Sequence, residues 1–333
     1  NQHNAHLLAR IDCLQSFARV AQKNSYVRPE IDESLIVDIK DGRHPEIDQH
    51  LEMGESYVHN AVFLDNEDQQ VLMITGPNMA GKSAVLRQTA LICLIAQMGC
   101  FVPASAARIG IVDKVFTRVG ATDNISSGES TFMVEMNETA SIMNNISDRS
   151  LILLDVIGRG TPTYDGISIA WSIADFLHNT TIAIPITLFA THYHELNELA
   201  NKFSRIRNYN IATRQVNNKV IFLRKLVAGG SNHSFGIFVA KMAGMPHANV
   251  ERANRILHKL EQKSIENAGE TSKSEGIEAS LKAMPVEQPM QLSIFETSDP
   301  VAGQLKAALQ DMDLNSMTPI ECMMKLNELR RML

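Results

Sequence analysis

The fold is decided by the stretch Gly76-Pro77-Asn78-Met79-Ala80-Gly81-Lys82-Ser83, which follows the apolar run Val71-Leu72-Met73-Ile74 and precedes a helix-forming run. Glycines near both ends let the backbone curl until successive N–H groups point at one anion, and the following helix adds its positive dipole end. Lys82 supplies a charge for the outer phosphates, and the Ser83 hydroxyl is a ligand suited to Mg²⁺. The stretch is predicted to be a phosphate-binding loop, because the strand before it and the helix after it disfavour a plain Gly-rich turn.

Length and composition are those of an ordinary globular protein with a substantial core. The 333 residues are enough for one large α/β domain with appendages or for two modest domains. Hydrophobic residues make up 44% and charged residues 20%, and the formal net charge is -6. This charge gives no sign of a nucleic-acid-binding surface across the whole chain, so any DNA contact is expected to be local or to lie elsewhere.

The cysteine pattern and the apolar runs indicate a cytoplasmic protein without a membrane span. The four cysteines form no CxxC pair, which favours a reduced cytosol over a zinc site or a disulfide framework. The longest apolar run, residues 90–102, is interrupted by Gln97 and Gly99 and is too short to cross a bilayer. No signal sequence follows Asn1, and the chain is expected to start inside a longer protein.

From residue 71 onward, short β-rich runs alternate with helical ones. Strands are predicted over 71–75, 114–119, 150–155 and 184–190, and helices over 81–97, 132–146 and 166–178. This alternation predicts an α/β sheet with crossover helices. A hairpin of 208–214 and 219–226 is expected at the edge of the sheet.

The flanking segments are predicted to be mostly helical. Residues 2–24 carry the stripe of an amphipathic helix, and 35–39 is a strand. Residues 235–262 are predicted to form two helices on either side of Gly244-Met245-Pro246. Such a pair either reads DNA or packs against other helices, and the basic face of its second helix either contacts DNA or only faces solvent. Residues 263–289 have the composition of a flexible linker, followed by a small helical tail.

A second acidic position is expected next to the phosphate loop. The apolar strand Leu151-Ile152-Leu153-Leu154 ends in Asp155, which it delivers to the sheet edge where the loop lies, as in a Walker B strand. The alternative is an Asp that merely ends a strand. The next residue is Val156, where nucleotide hydrolases of this design usually have a Glu that acts on water. Because Val accepts no proton, slow turnover is predicted.

Two further polar positions fit the same edge of the sheet. His192 follows the apolar strand 186–190 and could hydrogen-bond a γ-phosphate, although a strand-end His also has a structural reading. Residues 126–130, Ser-Ser-Gly-Glu-Ser, precede a helix and form either a second anion-binding surface or an ordinary helix cap.

Taken together, these residues resemble the ATPase domain of the MutS family of DNA mismatch-repair proteins, a branch of the ABC-type ATPases. The motifs are Gly42-Arg43-His44-Pro45, the loop interior Pro77-Asn78-Met79, Phe116-Thr117-Arg118-Val119-Gly120, Ser130-Thr131-Phe132-Met133-Val134-Glu135-Met136, Gly158-Arg159-Gly160-Thr161 with Tyr164-Asp165-Gly166, and Phe189-Ala190-Thr191-His192-Tyr193. The resemblance implies an α/β P-loop NTPase sheet of the ABC type flanked by helices, with a helical N-terminal segment. A helix-turn-helix and a helical tail would follow at the C-terminal end.

The resemblance also implies a division of the chain. Residues 1–45 would end the lever domain, 46–232 would be the ATPase domain, and 233–263 a helix-turn-helix that serves dimer contacts. Residues 264–300 would be a flexible linker and 301–333 a C-terminal helical tail.

The family's site implies a role for each matching residue. ATP and Mg²⁺ would be the cofactors, with Ser83 and Asp155 as metal ligands and His192 as a catalytic residue. Two ATPase domains would sandwich two ATPs, with Ser130 reaching the partner's γ-phosphate in trans. Tyr57 resembles the aromatic that stacks on adenine. The whole nucleotide-binding set is Gly76, Pro77, Asn78, Met79, Ala80, Gly81, Lys82, Ser83, Asp155 and Tyr57.

Partners follow from the same resemblance. A homodimer through the ATPase domains is expected in the bacterial cytosol, associated with the nucleoid, with mismatched double-stranded DNA held by domains outside this chain. A MutL-type protein is an expected partner. Gln291-Leu292-Ser293-Ile294-Phe295 resembles a peptide that docks on the sliding clamp, or matches it by chance.

Three residues depart from the family pattern. They are Val156 for Glu, Pro162 for Ser or Ala, and Ala84 for Thr. The first leaves open a nucleotide-gated module that binds ATP but hydrolyses it poorly, and Pro162 is expected to reshape the subunit contact. A remoter alternative is an ABC-type ATPase of chromosome structure or transport.

Overall fold

The structure is a computed structural model that describes residues 2–51, 54–77, 79–120, 130–216, 219–231 and 235–269. Residues 1–261 form one compact unit and 262–333 a second, of which the described part is the end of one helix. The strands are β1 (Glu30–Asp32), β2 (Val37–Gly42), β3 (Asn60–Leu64), β4 (Val71–Thr75), β5 (Ala106–Gly110), β6 (Lys114–Arg118), β7 (Ser150–Asp155), β8 (Ile186–Thr191), β9 (Ile206–Val216) and β10 (Lys219–Ala228). The α-helices are α1 (Gln2–Lys23), α2 (Pro45–Gln49), α3 (Lys82–Gln97), α4 (Thr131–Met143), α5 (Thr163–Asn179), α6 (Leu199–Lys202), α7 (Gly236–Met242) and α8 (His247–Gly269), with a 3₁₀ turn at His194–Glu198.

The central sheet has six strands in the order β10-β9-β4-β8-β7-β6. All neighbours pair in parallel except β10, which pairs antiparallel with β9. Every residue of β4 and of β8 is buried, as expected for parallel strands covered on both faces. Successive side chains of β4 point to opposite faces, so Leu72 packs in one core cluster with Leu86 of α3, whereas Met73 packs in the other with Ile173 of α5.

A second sheet of four strands, in the order β1-β5-β2-β3, covers the α3 side of the core. Strand β2 pairs antiparallel with both β3 and β5, and β1 pairs in parallel with β5. The sequence predicts only β2 among these strands, because β1 has three residues and β5 is a five-residue run that contains Ala and Gly. The predicted domain boundary after residue 45 thus falls between two paired strands, β2 and β3.

The mixed α/β class with helix-flanked sheets is confirmed, and the predicted strands and helices of the central sheet are present, with no end shifted by more than three residues. Helix α5 starts at Thr163 rather than 166, with Pro162 as its N-cap at φ −53°, an angle that proline adopts without strain. Helices α7 and α8 lie within the predicted pair at 235–262, except that α8 runs on to Gly269 and so occupies the first residues of the predicted linker. In the described ranges, no helix combines the length and the hydropathy needed to cross a bilayer.

Candidate functional site

The candidate site lies where the carboxyl ends of three parallel strands meet. In the register of the sheet, Thr75 of β4 is opposite Thr191 of β8, and Asp155 of β7 is opposite Ala190. The residues that follow these strands are the start of the phosphate loop, Val156 and His192. The crevice beyond the carboxyl ends of parallel strands is the usual ligand site of such sheets.

The loop between β4 and α3 has the backbone conformation that its glycines permit. Gly76 has φ +146°, and Gly81, the N-cap of α3, has φ +107°. Met79 also has a positive φ, +68°, and its side chain is 69% exposed. Residues with a side chain rarely adopt a positive φ, so the two glycines make the tight curl of the backbone possible. Asn78 lies outside the described residues.

The side chain of Lys82 is buried inside its own loop. Its Nζ donates hydrogen bonds to the carbonyl oxygens of Gly76, at 2.5 Å, and Pro77, at 3.0 Å. Burial is the main reason why the pKa of this ammonium falls from 10.5 to about 8; the charge of Asp155 opposes the shift, and that of Arg159 adds to it. A desolvated cation whose close hydrogen bonds are to neutral carbonyls is suited to bind an anion.

Ser83 and Asp155 meet directly at the sheet edge. The Ser83 Oγ donates a hydrogen bond of 2.5 Å to Oδ2 of Asp155. The other carboxylate oxygen, Oδ1, is buried and finds no hydrogen-bond partner in the described part of the chain. A buried carboxylate oxygen without a donor fits a bound cation, and a hydroxyl beside a carboxylate is the hard-oxygen set that Mg²⁺ prefers. The residues present therefore fit the predicted metal.

His192 lies between two cationic side chains. Its Nδ1 is 3.5 Å from the Lys82 Nζ, and its Nε2 is 3.3 Å from Nη2 of Arg159. Burial lowers the pKa of this imidazole from 6.5 to about 4, and the charges of Lys82 and Arg159 add to the shift. The ring is therefore neutral at pH 7. If Nε2 accepts the Arg159 N–H, the ring proton is on Nδ1.

Val156 lies beside Asp155 in a strained conformation. Its φ is +56°, an outlier for a β-branched residue, while its N–H donates to the Ala190 carbonyl at 2.9 Å and its side chain is buried. It helps to line a cavity of about 300 Å³. The other lining residues are Ser83, Arg87, Arg118, Gly120, Thr131, Glu135, Asp155, Arg159 and Gly160. Val156 thus lies in a cavity that three arginines line.

Tyr57 and the phosphate loop share a second cavity, of about 740 Å³. Met79, Gly81 and Ala84 line it from the loop side, and residues 220–222 of β10 line it from the other. The Tyr57 hydroxyl donates to Oε1 of the buried Gln88 at 3.1 Å, and burial raises the pKa of this phenol. The predicted adenine-stacking residue is therefore anchored next to the loop.

Ser130 is the exposed N-cap of α4, and its Oγ accepts the Met133 N–H at 3.1 Å. This is the ordinary helix cap that the sequence leaves as one of two readings. The residues before it, 121–129, lie outside the described residues. The same is true of residues 270–333, which include most of the predicted linker, the peptide 291–295 and the predicted tail.

Several polar residues of the site have no role assigned from the sequence. They are Arg87, Gln88, Arg118, Glu135 and Arg159. Helical spacing could have predicted that Arg87 belongs to the site, because Arg87 follows Ser83 by four residues and therefore lies on the same face of α3. Arg118, Glu135 and Arg159 stand in the quoted motifs, but only tertiary packing brings them together.

Comparison with known proteins supports the predicted resemblance. The family model described as MutS domain V matches residues 72–261. DNA mismatch repair protein MutS of Christiangramia forsetii is 60% identical over 333 residues, covering 100% of this chain and 37% of the relative. The protein of the same name from Flavobacterium johnsoniae is 58% identical over 332 residues, and that from Phocaeicola vulgatus is 57% identical over 331 residues. This chain covers 37% of the length of each. The chain thus spans little more than a third of these relatives, and it belongs to the MutS family.

Proposed function

We propose that this chain is the ATP-binding, ATPase and dimerisation portion of a MutS-type DNA mismatch repair protein. In this proposal it is a P-loop NTPase of the ABC type whose nucleotide state controls DNA-holding domains outside the chain. The observation that carries the proposal is the Ser83–Asp155 contact, which joins the loop bearing Lys82 to a carboxylate whose Oδ1 has no hydrogen-bond partner among the described residues. The name that these relatives share, DNA mismatch repair protein MutS, supports the same assignment.

Each part of the nucleotide has residues suited to bind it. Backbone N–H groups of residues 76–83 would cradle the phosphates at the N-terminus of α3. Lys82 would exchange two loop carbonyls for the outer phosphate oxygens. Ser83 and Asp155 would hold Mg²⁺, which neutralises phosphate charge when bound. The cavity beside Tyr57 has room for the base.

Two residues are proposed to act at the γ-phosphate. A neutral His192 has one N–H to donate, and it would orient the phosphate without adding a third positive charge beside Lys82 and Arg159. Ser130, exposed at the start of α4, would reach the nucleotide of the partner subunit in a homodimer. The pair of helices α7 and α8, proposed as a helix-turn-helix, would contribute to dimer contacts.

A second candidate function is a nucleotide-gated switch that closes on ATP and barely hydrolyses it. The observation that favours it is Val156, an apolar side chain in the cavity beside Asp155. A missing general base typically costs about 10²–10⁴ in rate, so binding and closure would persist while turnover falls. An ABC-type ATPase of chromosome structure or transport is the remoter alternative, favoured only if ATP drives no association with mismatch-repair partners.

The partners of the whole protein are proposed from the family. They are mismatched double-stranded DNA and a MutL-type protein, in the bacterial cytosol and at the nucleoid. Residues 291–295 would dock on the sliding clamp. Binding energy that differs between two dimer states is what would let nucleotide control distant DNA contacts.

One preparation tests both candidate functions. ATP binding is measured by titration with a fluorescent ATP analogue. Single-turnover hydrolysis is measured by mixing labelled ATP with an excess of the protein and following the product. Tight binding with measurable turnover supports the ATPase, and tight binding without turnover supports the switch. Absence of Mg²⁺-dependent ATP binding would refute both. Sedimentation with and without ATP tests the homodimer separately.

A further inference from the structure

Gly158, in the loop between β7 and α5, is held through both of its peptide groups. Its N–H donates to Oε1 of Glu135 at 2.6 Å. Its carbonyl accepts a hydrogen bond from the Tyr193 hydroxyl at 3.0 Å. Gly158 has φ +90°, and a Cβ added there would lie 2.7 Å from Cα of Gly166, so no side chain fits. The loop after Asp155 is therefore fixed from two sides.

The two holding residues belong to different parts of the proposed site. Glu135 is in the second turn of α4, the helix capped by Ser130, and is only 4% exposed. Tyr193 directly follows His192. The same loop also touches the first turn of α4, because a Cβ added at Gly160 would lie 2.7 Å from Cβ of Phe132. The loop thus connects the His192 strand end to the start of α4.

We infer that Glu135 and Tyr193 are positioning residues that couple each nucleotide site to the Ser130 of the same subunit. The inference rests on the proposed function, in which Ser130 acts at the partner's nucleotide. Because a helix is rigid over five residues, about 7.5 Å, a displacement at Glu135 moves the cap at Ser130 with it. A shift at His192 or Asp155 reaches α4 through Gly158, because Gly158 is hydrogen-bonded both to Glu135 of α4 and to Tyr193 and cannot move without displacing them.

The test compares ATP affinity with ATP-dependent self-association in variants of the 333-residue chain. In Glu135→Leu, which has no acceptor for the Gly158 N–H, we expect self-association to weaken roughly tenfold. The dissociation constant for a fluorescent ATP analogue should stay within about twofold of wild type. Glu135 lines the cavity beside Asp155, but its carboxylate oxygens contact the Gly158 N–H and Arg118, neither of which is proposed to bind ATP. Tyr193→Phe should weaken self-association in the same direction by removing the second hydrogen bond.

Two further variants separate positioning from other roles. Glu135→Gln keeps an oxygen that accepts the Gly158 N–H, so it should associate like wild type. Glu138→Leu is the matched control: Glu138 lies on the same helix and pairs with Arg118, 3.1 Å from Nε to Oε2, without contacting Gly158. It should also associate like wild type.

The outcomes distinguish this inference from the proposed function. Wild-type association by Glu135→Leu, or equal loss in Glu135→Gln and Glu135→Leu, would overturn the positioning role. If Glu135→Leu does not fold, wild-type association by Tyr193→Phe overturns it, and weakened association with unchanged ATP affinity supports it. If the wild-type chain binds ATP but never self-associates, the dimeric function itself fails.

Discussion

Ser83 and Asp155 lie 72 positions apart in the chain, yet the Ser83 hydroxyl is 2.5 Å from Oδ2 of Asp155. The strand β7 carries Asp155 to the edge where α3 begins, so a hydroxyl and a carboxylate meet beside the loop. The buried Oδ1 of the same carboxylate has no hydrogen-bond donor in the described ranges. This pair is the part of the site on which the metal and nucleotide proposals depend.

The first prediction concerns the metal. Asp155→Asn should weaken ATP binding in Mg²⁺ by about tenfold or more, because an amide is a poorer ligand for a hard cation than a carboxylate. Binding in EDTA should change little. The measurement is a fluorescence titration with and without Mg²⁺. Asp113→Asn is the matched control, since Asp113 also accepts a serine hydroxyl, Ser147 Oγ at 2.7 Å, but is exposed away from the loop. Equal losses with and without Mg²⁺ would refute the ligand role.

The second prediction concerns Lys82 and pH. Its pKa in the folded chain is about 8 against an ordinary 10.5, and only the charged form attracts phosphate. ATP affinity should therefore fall above pH 8, by at most about tenfold per unit. In Lys82→Arg, which keeps its charge, the affinity should not show this fall. Titrations from pH 6.5 to 9.5 measure both slopes, and an identical slope in the two proteins would contradict the assignment.

The same pKa of Lys82 predicts how stability depends on pH in the ATP-free chain. The unfolded chain keeps this proton up to about 10.5, whereas the folded chain releases it near 8. Between these values the unfolded state binds more protons, so the contribution of Lys82 to the free energy of unfolding rises with pH. In Lys82→Met this contribution should be absent. Urea unfolding at pH 8 and pH 9.5 gives the comparison.

The third prediction concerns His192 in acid. The folded-state pKa of about 4 lies below the ordinary 6.5, so the unfolded chain binds more protons between these values. The contribution of His192 to stability is present above pH 6.5 and is lost as the pH falls toward 4. His192→Gln should lose less stability than wild type between pH 7 and pH 5, as measured by urea midpoints. Parallel losses in both proteins would show that His192 does not titrate in this range.

The fourth prediction concerns Val156. Its cavity of about 300 Å³ has arginines at 87, 118 and 159, so a carboxylate at position 156 would find both space and positive charge. Val156→Glu should raise single-turnover hydrolysis by about 10²–10⁴, the usual contribution of a general base. Val156→Gln, which has the same length but accepts no proton, should not. A rate unaffected by Val156→Glu would refute the slow-hydrolysis explanation.

Local patterns predict the central sheet because its strands and helices carry strong periodic signals. Strand β4 is predicted with the ends that the structure has, since a continuous apolar run before a Gly-rich turn leaves few alternatives. The second sheet was missed, except for β2, because its short strands are specified by pairing across residues 30–110 and not by their own composition. Residues of one strand pair with partners about 70 positions away, and no local window contains both.

Three features can be read from local sequence alone: the phosphate-loop pattern, the alternation of strands and helices, and the resemblance to the MutS family. These depend on glycine positions, apolar periodicity and motif identity, which are local properties. Three others follow from the packing of the folded chain: Ser83 hydrogen-bonds to Asp155, His192 lies between two cations, and Glu135 and Tyr193 hydrogen-bond to Gly158. Hydrogen bonds and pKa shifts depend on distances of a few ångströms and on burial, and these arise only when distant strand ends are packed together.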